Sequence, residues 1–425
     1  MTLSPVAIER PMEIRRAPGA TWEAKVTDDL LDPATFAHGH PTDLYARLRS
    51  EAPVFRNPEP GGPGFWALTR YADVYAVDHD FQTFSSEPTI MISDPGIGEG
   101  GTLGDAKMML MMDPPHHTAF RKLIRAEFTR PAAGTKGLRL HELARQIVNE
   151  VIEKGECDFV AEVAGEMPSY VIAELMGMPL DDGRELYRLT ETIHSAPETM
   201  PEGAIPKAVM AMFAYATDLI AKKRANPADD LATRLLQAEV EGRRLTDPEF
   251  LLFFLLLIDA GGDTTRNLLS SGLLALTQRP DQKTWLMADL DTRLDGAREE
   301  LLRWASPVIY MRRTATRDTR IGAADIAAGD KVVMYFGAAN RDPDKFEDPE
   351  TLDLSRTPNE HVAFGGGPHV CLGQHLARIE IDAILKEVLT RMNDFEIPAA
   401  PEWLASTFIS GPKSMPVRFR PGARL

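Results

Sequence analysis

The stretch Phe364-Gly365-Gly366-Gly367-Pro368-His369-Val370-Cys371-Leu372-Gly373 decides how the rest of this chain is read. Three consecutive glycines open backbone conformations closed to other residues and let the chain pass close to a flat ligand, and Pro368 then stiffens the turn. The loop delivers one cysteine. From Leu372 to Met392 the pattern predicts a helix with Leu376, Ile379, Ala383 and Ile384 on one face, which sets the Cys371 sulfur at a helix N-terminus. Unpaired N–H groups and the positive dipole end favour a thiolate there.

A thiolate on a glycine-rich loop, with Phe364 ahead of it, suits an axial iron ligand that donates electron density. A buried cysteine on its own is more often an inert small hydrophobe. With its flanking residues, however, the run F-G-G-G-P-H-V-C-L-G resembles the haem-binding loop of the cytochrome P450 superfamily, the haem-thiolate monooxygenases. The resemblance implies a mainly α fold with a small β region and a long central helix over a thiolate-ligated haem b. It makes Cys371 the metal ligand and sets Phe364, His369 and Gly373 around the cofactor, with His369 a propionate donor.

Composition is consistent with this. Of the 425 residues, 26% are charged and 44% hydrophobic, the balance of a soluble globular protein. A net charge of −16 with no offsetting basic block argues against a nucleic-acid partner. The two cysteines, Cys157 and Cys371, form no disulfide framework and no C-x-x-C spacing, which fits a cytoplasmic location. The longest apolar run, Phe250 to Ile258, is far short of the roughly 20 residues that span a bilayer, so no membrane attachment is expected. No Gly/Ser linker divides the chain: residues 1–40 read as a loosely held arm and 41–425 as one catalytic domain, expected as a monomer.

Before the central helix, two regions stand out. Ser85 to Met112 is rich in glycine and reads as a long irregular loop, a feature that is usually functional inside a compact domain. In the resembled family this region lies over the substrate, and Met108, Met109 and Met111 at its end would give a soft apolar lining. Asp113-Pro114-Pro115 then starts a helix on which His117 and Arg121, at i and i+4, share a face. The family's H-x-x-x-R motif clamps a haem propionate in this way. Between two later helices, the proline-marked segment His194 to Pro206 resembles the connection that roofs the family's pocket.

Thr246 and Glu249 make a capping box, and the helix they start can run to Gln278. A helix so long and apolar must pass through the body of the protein. At its middle stands Ala260-Gly261-Gly262-Asp263-Thr264-Thr265, where glycines weaken a buried helix by about 1 kcal/mol each relative to alanine. The resemblance implies that Ala260 and Gly261 border the haem, Thr264 offers a hydroxyl to dioxygen and Asp263 relays protons. Asp259 stands where family members usually keep apolar residues.

Glu300-x-x-Arg303 is a helical i,i+3 pair, and Arg356 supplies the third charge with which the family couples it. Arg313 falls where a second propionate-binding arginine is placed, with Arg312 adjacent and a register slip of one open. Val308 and Ile309 would border the substrate. Lys331 to Phe336 reads as a strand, Cys157 begins another, and Phe408 to Phe419 reads as a terminal hairpin. The implied reaction inserts one oxygen atom of dioxygen into a C–H bond of an apolar terpenoid, steroid or aromatic hydrocarbon. Electrons would come from NAD(P)H through a ferredoxin reductase and a ferredoxin, since the chain carries no flavin- or nucleotide-binding module of its own. Arg121, Lys122, Arg125 and Arg378 are the candidate docking charges. A peroxide-driven peroxygenase of the same fold and a non-catalytic haem protein are the alternatives.

Overall fold

A computed structural model describes residues 29–93, 102–195 and 200–425 of the protein. The central helix runs from Asp247 to Gln278 without a break, roughly 48 Å at 1.5 Å per residue. Its start is fixed as the sequence predicts: Thr246 Oγ1 accepts from the Glu249 amide, and Glu249 Oε2 accepts from the Thr246 amide at 2.8 Å. Helices Glu166–Met176, Leu180–His194, Ala204–Ala225, Leu290–Ala305 and Gln374–Arg391 pack around it. Leucines, isoleucines and phenylalanines are therefore buried on nearly all its sides.

The β region is a five-stranded sheet in the order Val54–Asn57, Phe65–Leu68, Lys331–Tyr335, Tyr310–Ala315, Phe84–Ser85. Only Lys331–Tyr335 beside Phe65–Leu68 is parallel. Cys157 lies in the strand Glu156–Asp158, buried, its thiol pushed up to about 12 by burial; this is an inert position. Three sequence expectations change. The chain end is not a hairpin: Pro412–Ser414 pairs with Glu402–Trp403, and Pro416–Arg418 with Glu156–Asp158, so each short strand takes a different, distant partner. The region before Met112 is not wholly irregular, since Thr102–Leu103 and Ala106–Lys107 pair and Met109–Met111 forms a 3₁₀ turn; residues 94–101 lie outside the described residues. Nor is all of the expected arm loose: Leu30 and Phe36 are buried against Tyr45 and Leu48, while residues 1–28 lie outside the described residues. The connecting segment 196–199 lies outside them too.

One helix among the described residues, Ala204–Ala225, is long and apolar enough by length and composition to cross a membrane. It packs on Leu180–His194 and on the central helix. On the other side of the body, Arg303 donates to both carboxylate oxygens of Glu300 at 2.7 Å, and Arg356 Nε stands 3.2 Å from Glu300 Oε2. Arg303 also donates to the carbonyls of Asn340 and Pro349, so the pair pins the whole irregular run that leads to the cysteine loop.

His40 anchors the sheet side. Its Nε2 lies 3.0 Å from the carbonyl oxygens of Ala305 and Ser306, and burial holds the ring down to about 4, with the Arg341 charge adding to that. The folded protein thus keeps His40 neutral at pH values where the unfolded chain protonates it near 6.5, so this stability contribution is full above 6.5 and is lost as pH falls toward 4. Urea unfolding at pH 7 and pH 5 is expected to show His40→Gln losing less stability between the two than wild type, by on the order of 2 kcal/mol. An equal loss in both proteins would contradict this assignment.

Candidate active site

The cysteine loop crosses beneath the middle of the central helix and is shaped by the backbone it touches. Gly367 has φ 55°, and a Cβ there would lie 2.3 Å from the Asp78 carbonyl oxygen, so only glycine fits. The Cys371 amide donates to the Phe364 carbonyl at 2.8 Å and closes the loop. The helix begins at Gln374 and not at Leu372. Burial raises the Cys371 thiol, while the Gly373 amide, Arg121, Arg378 and the Gln374 amide oppose that shift. Such surroundings keep a thiol neutral until a bound metal takes its proton.

One cavity gathers Cys371, Phe364, His369, Gly373, Arg121 and Arg313 on the loop side with Ala260, Gly261 and Thr264 on the central helix. Ala260 and Gly261 are the exposed positions in an otherwise buried stretch, because they face this space. Thr264 Oγ1 donates to the Ala260 carbonyl at 3.1 Å. Asp263, one position earlier, does not line the cavity; it points toward the roof helix Leu180–His194 and is fully buried. The substrate-side expectations divide in the same way. Met109 and Val308 line the cavity, joined by Leu110, Leu256, Leu257 and Met311. Met108, Met111 and Ile309 do not: Met108 packs into the helical core, Met111 is buried outside the lining, and Ile309 lies in the sheet-side core with its amide on Phe408.

Strand alternation settles the Arg312 and Arg313 register, since neighbours on a strand face opposite ways. Arg313 faces the cavity and pairs with Asp78 at 2.8 Å, whereas Arg312 turns to the carbonyls of Met91 and Ile92. Arg121 donates to the Val370 carbonyl at 2.6 Å. His117 does not itself line the cavity but stacks on His369 with ring centroids 4.0 Å apart. Burial holds these rings down, His117 to about 4 and His369 to about 2, with nearby arginines adding to it. Their Nδ1 atoms are buried without an in-line hydrogen bond.

The sequence reading assigned no role to Asp78, His194 or Glu380. Asp78 holds Arg313 and accepts from the Gly366 amide at 2.6 Å. His194, the last residue of the roof helix, donates from Nδ1 to Asp263, and its Nε2 stands 3.1 Å from Asp259 Oδ1. Glu380 borders the cavity, its carboxyl pushed up to about 8 by burial. Only Asp259 left a trace in sequence, as an acid in an apolar helix.

The family model described as "Cytochrome P450" matches residues 202–402. The methyl-branched lipid omega-hydroxylase of Mycobacterium tuberculosis is 39% identical over 386 residues, spanning 88% of this chain and 90% of that protein. This chain belongs to the cytochrome P450 family. The steroid C26-monooxygenase of Mycobacterium tuberculosis is 37% identical over 404 residues, covering 92% of this chain and 92% of the relative. The solved structure of Mycobacterium marinum cytochrome P450 CYP268A2 in complex with pseudoionone superposes with a TM-score of 0.87 at 38% identity, over 94% of this chain and 100% of that one. The protein is a P450 monooxygenase of bacterial type that works with haem, dioxygen, redox partners and a small-molecule substrate. The residues present fit haem: a sulfur on one side, cationic Arg121 and Arg313, and paired histidines whose Nδ1 atoms lack in-line partners suit a flat, propionate-bearing ligand.

The central helix of this P450 touches its roof at Gly262, where an added Cβ would meet the Tyr187 ring at 2.9 Å. Gly262→Ala is expected to cost about 1–3 kcal/mol through overpacking, read as a lowered urea midpoint. Gly261→Ala meets no protein atom within 4 Å and is expected to keep or raise that midpoint, by up to about 1 kcal/mol of helix propensity.

Proposed function

We propose that this P450 hydroxylates a neutral, largely apolar molecule of the terpenoid, steroid or branched-lipid class, using haem b held by Cys371. The observation that carries the substrate class is the lining. Met109, Leu110, Leu256, Leu257, Val308 and Met311 are apolar, and the cavity's arginines, Arg121 and Arg313, sit with the histidines that would hold the propionates. A charged head group would find no partner among the substrate-side residues, and burying it unpaired is costly. The relatives named as a methyl-branched lipid omega-hydroxylase and a steroid C26-monooxygenase, and the neighbour solved in complex with pseudoionone, support the same class.

Bound haem supplies the binding and activation of dioxygen. The chain's residues do the rest. Cys371 would give the thiolate ligand, Arg121 and Arg313 would offset the propionate charge, and the neutral rings of His117 and His369 would offer hydrogen bonds to it. The apolar walls exclude water, which limits leakage of protons and electrons. Thr264 holds a hydroxyl inside the cavity, and Asp263 on the same helix is the acid that replaces its proton.

For electron supply we assign an acidic ferredoxin, with its reductase, docking a monomeric enzyme at Lys122 and Arg125, exposed on the His116–Arg125 helix below the cysteine loop. Two of the charges expected from sequence work elsewhere: Arg121 bonds inward to Val370, and Arg378 clasps Glu299 at 2.8 Å.

The first measurement is a screen of terpenoids, steroids and branched lipids for a shift of the ferric haem from low to high spin. Neutral members should give it, and a response confined to charged compounds would refute the substrate class. Thr264→Ala is expected to reduce product formation roughly 10²-fold while NAD(P)H oxidation continues; full coupling in that variant would remove Thr264 from the chemistry. Replacing Lys122 and Arg125 by glutamate should raise KM for ferredoxin about tenfold, equivalent to about 1.4 kcal/mol, with little change in kcat.

A further inference from the structure

Asp263 has no route of its own to water: it is 0% exposed and does not open on the cavity. A carboxyl group that gives up a proton must recover one from a neighbour. Among the described residues three side chains contact it. Thr190 Oγ1 donates to Asp263 Oδ1 at 3.3 Å but also to the Tyr187 carbonyl, inside the roof helix. Arg266, at 3.3 Å, is a guanidinium that does not release protons in proteins. The third is His194, whose Nδ1 meets Asp263 Oδ2. Imidazole is the side chain suited to giving and taking protons near neutrality.

The other edge of the ring completes the path. His194 Nε2 lies 3.1 Å from Asp259 Oδ1, an ionic contact that is not yet in line as a hydrogen bond; that oxygen is buried with no donor of its own. The Asp259 side chain keeps 25% of its surface exposed, against 9% for His194. Asp259 and Asp263 are one turn apart on the central helix and share a face. The ring of His194 thus sits between a carboxylate that reaches solvent and one that does not.

We propose that His194 carries protons from Asp259 to Asp263, resupplying the acid that serves Thr264. The inference rests on the role given to Asp263 above. In the step itself the Nδ1–H bond of the imidazolium breaks and an O–H bond forms on Asp263. The ring, now neutral, takes a proton that bulk water delivers at Asp259. A flip about the Cβ–Cγ bond resets it, because both ring edges face a carboxylate. One proton enters for each one passed on, and no electron moves.

The charged groups around the ring suit a carrier. Burial disfavours the imidazolium, but Asp259 and Asp263 from the central helix outweigh burial and raise it to about 10. Glu191 of the roof helix pairs with Arg266, Lys413 of the C-terminal segment acts on Glu191, and Phe408 lies 5.9 Å from the His194 ring. The two carboxylates therefore keep the ring protonated at neutral pH.

The test compares His194→Arg, which keeps a positive charge between the two helices but cannot release a proton, with Asp259→Asn and Asp263→Asn. All are measured with substrate, NAD(P)H and redox partners in H2O and D2O. His194→Arg is expected to fold, keep the reduced carbon monoxide spectrum, and form product roughly 10²-fold more slowly while NAD(P)H oxidation continues, with an enlarged solvent isotope effect. In the diamagnetic ferrous carbon monoxide form, ¹³C-histidine spectra should place the His194 midpoint well above the ordinary imidazole range, and Asp259→Asn should lower it. If Asp263→Asn uncouples but His194→Arg does not, His194 is only a tie between helices and the proposal falls. If Asp263→Asn stays coupled, the role of Asp263 falls first and this path with it.

Discussion

Glu300 and Arg303 hold each other where neither charge meets water, and the position of the cysteine loop depends on that pair. Breaking such a pair strands a buried charge, at about 3–5 kcal/mol, so the surrounding backbone is committed to it. Glu300 also accepts from the Asp353 amide and from Asn359, and Arg303 reaches the carbonyl of Asn340. Asn340 in turn accepts from the Val362 amide, two residues before Phe364. A run with almost no regular secondary structure is thereby held firmly enough to present one sulfur to one cavity.

The central helix divides two environments that could not share a face. At 3.6 residues per turn, neighbouring side chains diverge by about 100°. Thr264 therefore opens on an apolar space while Asp263 enters a knot of His194, Arg266, Glu191 and Thr190 under the roof. Asp263 stays below the ordinary carboxylate range although burial pushes it up, because Arg266 and His194 outweigh the burial. Acid and alcohol are adjacent in sequence, and the helix turns one to the cavity and the other to the roof about 100° away.

Much of this was legible in the chain. The capping box at Thr246 and Glu249, the i,i+4 pairing of His117 and Arg121, and the glycine turn before Cys371 are local signals, each set by residues within a few positions. What escaped the sequence depends on distant partners. The Glu156–Asp158 strand pairs with the chain terminus across more than half the protein, so Pro416–Arg418 looked like half of a hairpin. Ile309 faces away from the cavity because Phe408 holds its amide, a contact no periodicity announces. Asp78 and His194 stand in ordinary helices, and only the folded chain brings them to Arg313 and Asp263.

Asp78 has one more consequence. It grips Arg313 with one oxygen and the Gly366 amide with the other, bridging the sheet and the cysteine loop through a single side chain. Strand and sulfur are thus geared together. A shift of the sheet would carry the loop of Cys371 with it, so the two parts of the cavity floor move as one piece.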